Sequence, residues 1–268
     1  MSNSKNRISS ILNCQNIGIL PQGIKEFNIS HLKINKPINY SNHAPLRLGK
    51  EIEKVFSAFV KASSNYKLIQ ENIQIQDGKT TLGELDFILQ QIDSKQLIHL
   101  ELVYKFYVYD SNQSKNELEK WIGPNRKDSF IEKFEKLKIK QFPFLYHPKT
   151  KAHFTNLNIN DIEQKLCFIA NLFVHYTQQN TIYPEINPKA IVGYWLSFTD
   201  FNNKLDSDNL YYLPQKKEWG IHPKNNTVWY SKKQMSEQIK IQHQRQFSPL
   251  CWIKKPNLKF EQCFVVWW

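Results

Sequence analysis

Apolar residues recur along this chain with two different periods. Leu48, Ile52, Val55, Phe56 and Phe59 fall at i, i+4, i+7, i+8 and i+11, the spacing of one helical face, and predict a helix beginning near residue 48. The period then shortens to two. Residues 68–77 alternate at Ile73 and Ile75 and end on Asp77-Gly78, a strand closed by a turn. TTLGELDFILQQ at 80–91 reads as the next strand, 92–96 as a polar turn, and LIHLELVYKFYVY at 97–109 as a long strand rich in β-branched and aromatic residues. The expectation is a helix followed by a three-stranded antiparallel meander.

Before this stretch, residues 1–45 show no sustained period and contain Pro21, Pro37 and Pro45, which predicts an irregular arm. After it, a polar helix start at 111–120 leads into a turn at WIGPNR. Ser129-x-x-Glu132 is a capping box, and Phe130, Phe134 and Leu137 follow at helical spacing, so a helix is expected to run from there and end before Pro143. Ile162, Leu166, Ile169, Phe173 and Tyr176 predict another helix from about Asn160. Short strands at 190–201, 210–214 and 260–268 and a polar helix at 232–245 complete the pattern. No repeat, low-complexity linker or composition break divides the chain. It is expected to form a single compact α/β domain over 1–268, with a core at 44–145 and an α+β C-terminal extension at 146–268.

Composition narrows the chemistry. Of 268 residues, 41% are hydrophobic and 22% charged, the balance of a globular protein. The few glycines never form GxGxxG, and Gly78-Lys79-Thr80 lacks a Walker A loop because position 73 is Ile, so dinucleotide and P-loop readings are excluded. Cys14, Cys167, Cys251 and Cys263 form no CxxC pair, which argues against zinc and disulfide frameworks. No apolar run is long enough to span a bilayer and no signal segment is visible, so a cytoplasmic location without membrane contact is expected.

The net charge of +12 is concentrated. Residues 115–151 carry ten Lys/Arg against five Asp/Glu, residues 215–259 carry ten against two, and the rest is near neutral. Both segments interleave aromatics, among them Trp121, Phe142 and Tyr146 in the first and Trp219, Trp229 and Trp252 in the second. Cations that neutralise phosphates beside faces that stack on unpaired bases make nucleic acid the expected partner.

The candidate chemistry lies in 83–105. Period two puts Glu84 and Asp86 on one face of their strand, and His99, Glu101 and Lys105 on one face of the next. A two-residue loop at Ser94-Lys95 would pair Asp93 with Gln96, set Ile88 opposite Glu101, and leave Asp86 and Glu101 as diagonal neighbours about 7 Å apart on a common face. Two carboxylates at that separation can share a hard divalent cation such as Mg²⁺ or Mn²⁺. A lysine on that face can orient water or stabilise charge developing on a phosphate. A structural ion-pair set or a solvated sheet face would use the same residues.

The order of these motifs (GKEIE at 49–53, GELDF at 83–87, ELVYK at 101–105) resembles the core of the PD-(D/E)XK phosphodiesterase superfamily. The resemblance implies a restriction-endonuclease-like core: helix, three-stranded antiparallel meander, helix, further strand. It implies Asp86 and Glu101 as metal ligands, Lys105 as the lysine that assists water, and Glu53 as the supporting helix carboxylate. One departure is plain. The family's acid-x-Lys spacing would place the lysine at position 103, which is Val, whereas Lys105 lies about 7 Å further along the strand. Lys133, from the following helix, is the alternative source. RLGKEIE, TLGELDF, HLELVYKFY, WIGPNRKD and the later GIHP together resemble a bacterial family defined only as a domain of unknown function. Carried through, the resemblance implies a Mg²⁺- or Mn²⁺-dependent nuclease acting on DNA rather than RNA, with Arg126, Lys127, Lys133, Lys136 and Gln141 along the nucleic acid. A catalytically inactive protein on the same fold, binding nucleic acid or protein, is the alternative.

Overall fold

The computed structural model describes residues 2–41 and 46–268; Pro45 and the first residues of the 44–145 segment lie outside these. In chain order the elements are α1 (Ser2–Leu12), β1 (Lys25–Glu26), α2 (Leu48–Ala62), β2 (Tyr66–Asp77), β3 (Thr80–Gln91), β4 (Leu97–Tyr109), β5 (Trp121–Ile122), α3 (Phe130–Lys136), α4 (Pro148–His153), β6 (Glu163–His175), β7 (Ile191–Ser197), α5 (Phe198–Lys204), β8 (Leu210–Tyr212), α6 (Lys232–Gln244), β9 (Leu250–Lys254) and β10 (Phe260–Val266). The fold is mixed α/β with a ten-stranded sheet that contains both parallel and antiparallel pairs.

The amphipathic helix and the meander form where the two periods placed them. Four expectations are corrected. The N-terminal arm opens with a helix, α1, whose polar sequence supplies only Ile8 and Ile11 as an apolar pair and so shows no readable period. The helix expected from Asn160 is instead the strand β6. Leu166 to Val174 is buried at every position, and a run that is apolar throughout contains helical spacing as a trivial subset. At 111–120 only a 3-10 turn, Glu117–Lys120, is helical, and Trp121–Ile122 pairs with β4 rather than turning. Finally, β7 stops at Ser197, whose hydroxyl caps α5 by accepting from the Asp200 N–H at 3.0 Å, and β9 had no counterpart in the pattern.

The backbone divides into two compact units, each assembled from separated stretches: Met1–Tyr104 with Lys133–Ile169, and Lys105–Glu132 with Ala170–Trp268. The first unit has two apolar cores. Ile52, Val55, Phe56 and Phe59 of α2 pack with Ile11, Phe27, Phe87, Leu89, Leu100 and Ile169. Ile73, Ile75, Leu85 and Ile88 pack with Leu145, Phe154, Ile159 and Ile162. The capping box at Ser129 and Glu132 is formed, and the helix it starts continues as a five-residue π turn, Leu137–Gln141, closed by the Phe142 N–H donating to Leu137 at 3.0 Å.

In the second unit β7 pairs in parallel with β10, which pairs antiparallel with β9, which pairs antiparallel with β8. Tyr194, Leu196, Tyr211, Ile253, Cys263 and Val265 of these strands bury Phe201 of α5 and Met235 and Ile239 of α6. Gly193 admits no side chain: a Cβ there would stand 2.3 Å from the Gln262 carbonyl oxygen and 2.8 Å from the Phe173 ring. Gly193→Ala is therefore expected to cost about 3 kcal/mol, because backbone and ring must both move. Urea denaturation checks this, and a cost below 0.5 kcal/mol, on the order of an ordinary surface substitution, would show that the β7–β10 spacing is not rigid.

Candidate functional site

The site forms in the first unit where β3 and β4 part. Their ladder runs from Gln90↔Leu97 through Ile88↔His99 to Phe87↔Leu100. The Gln91 N–H donates to the Gln96 carbonyl, so the connecting loop has four residues rather than two and every pair is displaced by two from the expected register. A displacement of two preserves the face. Extending the observed register sets Asp86 directly across from Glu101 instead of diagonal to it.

Beyond Phe87 and Leu100 the two acids replace the ladder. The Leu102 N–H donates to Asp86 Oδ2 at 2.9 Å, and the Asp86 N–H bonds the Glu101 carboxylate. Glu101 is fully buried, with both oxygens engaged: Oε1 lies 3.0 Å from His99 Nε2, and Oε2 accepts from the Gln141 amide. Burial holds the His99 imidazole neutral, pushing its pKa down to about 4. Gln164 donates to His99 Nδ1 at 3.2 Å, so the ring proton resides on Nε2 and points at Glu101. Lys133 Nζ donates to Gln141 Oε1 at 2.6 Å, which completes a chain from ammonium through amide to carboxylate.

Burial, then the Glu101 charge, pushes Asp86 up to about 7, against the pull of the Leu102 N–H, Lys133 and Lys50. Burial also raises Glu101, and Lys133 opposes it. The cations that act on both acids' surroundings are thus Lys133 and, at Asp86, Lys50. Glu53 faces this cluster: burial and the charges of Asp86 and Glu84 raise its pKa while Lys50 opposes them. Glu51, the other carboxylate of the helix motif, turns away to Arg7 at 3.4 Å and Tyr40 at 3.2 Å. Lys50 was missed as a site residue, together with Asn72; Glu84 was placed on the right face but given no role. Lys50 Nζ contacts Glu53 Oε2 at 2.7 Å, Glu84 Oε1 at 2.7 Å and Asn72 Oδ1 at 2.9 Å. The available signal was a lysine in the first turn of a helix, where a cation is electrostatically unfavourable.

The remaining candidates are engaged elsewhere or solvated. Lys105 donates to Asp128 Oδ2 at 2.6 Å. Arg126 donates to Asp110 Oδ2 at 2.6 Å, and its guanidinium lies 3.8 Å from the centre of a Trp268 ring. Lys127 and Lys136 are exposed. Several aromatics of the basic segments, Trp121, Phe142, Trp219 and Trp252, are buried and offer no stacking face. All four cysteines are free, and among the described residues no helix is long and apolar enough to cross a membrane.

A family model described as a domain of unknown function, DUF1853, matches residues 15–266. The chain belongs to the DUF1853 family. No curated protein and no solved structure matches it.

Whether this DUF1853 site fits a metal ion can be judged from its donors. Among the described residues no three His, Cys, Asp or Glu side chains are grouped to hold one ion. What is present is a pair of hard carboxylates, and in the described residues neither contacts a cation directly. That suits an ion that takes few carboxylates and keeps most of its waters, as Mg²⁺ does. Without the ion, Asp86 carries a sign-definite cost. Its carboxyl ionises from about pH 4 in an unfolded chain but only near pH 7 in the folded one, so stability is fully present below pH 4 and falls as pH rises through 7. Asp86→Asn keeps the acceptor for Leu102 and cannot ionise. In metal-free buffer it is expected to match the parent at pH 4 and exceed it by on the order of 2 kcal/mol at pH 8. Urea denaturation at the two pH values is the check, and equal stability at pH 8 would contradict the burial of charge at this position.

Proposed function

We propose that this chain is a Mg²⁺-dependent phosphodiesterase that cuts nucleic acid, DNA in preference to RNA. The observation that carries the reading is the side-by-side placement of Asp86 and Glu101 at the β3–β4 fork, with Lys133 acting on both. The element order α2-β2-β3-β4-α3-β6 and the strand order β2-β3-β4-β6 support a restriction-endonuclease-like core. The exposed lysines that follow Lys133 (Lys136, Lys138 and Lys140) support a polyanionic substrate.

Asp86 and Glu101 would hold the ion, which when bound supplies a lowered water pKa and charge stabilisation at a phosphoryl oxygen. The chain's own residues do the rest. His99 Nε2–H and the Gln141 amide fix the Glu101 carboxylate so that it does not rotate. Lys133, tied to Gln141 at 2.6 Å, brings a positive charge to the site from α3 and takes the role that the sequence pattern gave to Lys105. Lys105 is held by Asp128 and serves that loop. Glu53 supports the cluster from α2.

Purified protein incubated with linear, circular and single-stranded DNA and with RNA, with and without Mg²⁺ or Mn²⁺, tests the reading. Metal-dependent cleavage is expected. Asp86→Asn and Glu101→Gln should each lower it at least a hundredfold, Lys133→Met at least thirtyfold, and Lys105→Met less than threefold. Absence of cleavage of every substrate in both metals overturns the reading. Salt-sensitive DNA binding that persists without cutting would favour the second reading, an inactive nucleic-acid-binding protein. The buried Val103, where the superfamily has its lysine, is the observation on that side.

A further inference from the structure

Lys50 has an arrangement that its own helix does not explain. It lies in the first turn of α2, at the positive end of the helix macrodipole, and its pairing with Glu53 places the cation before the anion, the weaker order on a helix. Nevertheless its ammonium is met by oxygens from three separate elements: Glu53 Oε2 of α2 at 2.7 Å, Glu84 Oε1 of β3 at 2.7 Å and Asn72 Oδ1 of β2 at 2.9 Å. Three hard-oxygen donors closing on one point from helix and sheet form a cation's environment rather than a single ion pair. Asn72 reaches it from a left-handed backbone, φ 53°, inside a strand, a conformation with an energetic cost. Glu53, Glu84, Asp86 and Glu101 all lie within electrostatic reach of one another, so four carboxylates share this end of the first unit.

We propose that the Lys50 ammonium is a built-in second cation: it fills from α2 the position, between Glu53, Glu84 and Asn72 and next to Asp86, that a second divalent ion would otherwise take, so that the site accepts one ion. The inference rests on the metal-dependent reading above. With Lys50 in place two of the four carboxylates are already compensated, and only Asp86 and Glu101 remain to attract an ion. Without it the four acids face Lys133 alone, and a second ion is drawn in. The Lys50 side chain is 49% exposed, so the ion pairs themselves add little to folding and the residue can be replaced without unfolding the protein.

Calorimetric titration of the full chain with Mn²⁺ at pH 8 tests this, using the parent, Lys50→Met, Lys50→Arg and Asp86→Asn. One ion per chain is expected for the parent and for Lys50→Arg, two for Lys50→Met, and at least a tenfold weaker first site in Asp86→Asn. If Lys50→Met keeps one ion at an affinity within twofold of the parent, the Lys50 role is overturned while the metal-dependent reading stands. If neither parent nor Lys50→Met binds Mn²⁺, both are overturned. If only Lys50→Met binds, Lys50 is the occupant of the cation position and the metal-dependent reading is lost for the parent.

Discussion

The structure around the site depends on how two neighbouring strands part. Wherever a ladder ends inside a protein, the backbone N–H groups it releases need acceptors, or each costs free energy comparable to a lost hydrogen bond. Here the acceptors are carboxylates. Asp86 takes the Leu102 N–H and Glu101 takes that of Asp86. This solution puts two acids next to each other in a poorly solvated place, where both resist ionisation. The rest of the cluster compensates for that choice.

The compensation comes from two sides. From α3 and its π turn come Lys133 and Gln141, linked to each other and to Glu101. Wider winding at Leu137–Gln141 ends the helix next to β4 and turns its last side chain inward, the kind of local irregularity that tends to persist where a side chain has work to perform. From α2 comes Lys50, held by three oxygens. Beneath them His99 and Gln164 set the tautomer and orientation of the buried carboxylate's neighbour, and Gln164 is itself anchored on the Phe142 carbonyl at 2.7 Å. A neutral, twofold hydrogen-bonded histidine stiffens the acid without adding charge to it.

The second unit uses similar residue types for architecture. Gly123 has no room for a Cβ, which would stand 2.0 Å from Asp128 Oδ1, and its N–H donates to the Asp128 carbonyl at 2.7 Å. Arg126, at φ 54°, closes the same loop, with its guanidinium between Asp110 and the Trp268 ring. Trp268 Nε1 and Ser248 Oγ both donate to the Pro124 carbonyl. The WIGPNRKD block therefore reads as a knitted loop in which Lys105, Asp128 and Arg126 are mutually or locally satisfied. Charged residues concentrated in one sequence block are as readily explained by such a loop as by an external polyanion.

By itself the sequence determined α2, the meander β2–β4, the capped start of α3, and the sharing of one face by Asp86, Glu101 and His99. These follow from side-chain period and local capping, which act over a few residues. It also limited the lysine question to Lys105 or Lys133 and singled out Glu53 over Glu51. Only the tertiary structure decided the rest. The loop length between β3 and β4, and hence the register, depends on which carbonyl Gln91 reaches. β6 is a strand because both its faces are buried, and an unbroken apolar run carries no period to say so. The cation partners of the two acids, Lys133 through Gln141 and Lys50 through Glu84 and Asn72, are tens of residues away along the chain, and only the packing of helix against sheet brings such charges within a few ångströms of each other.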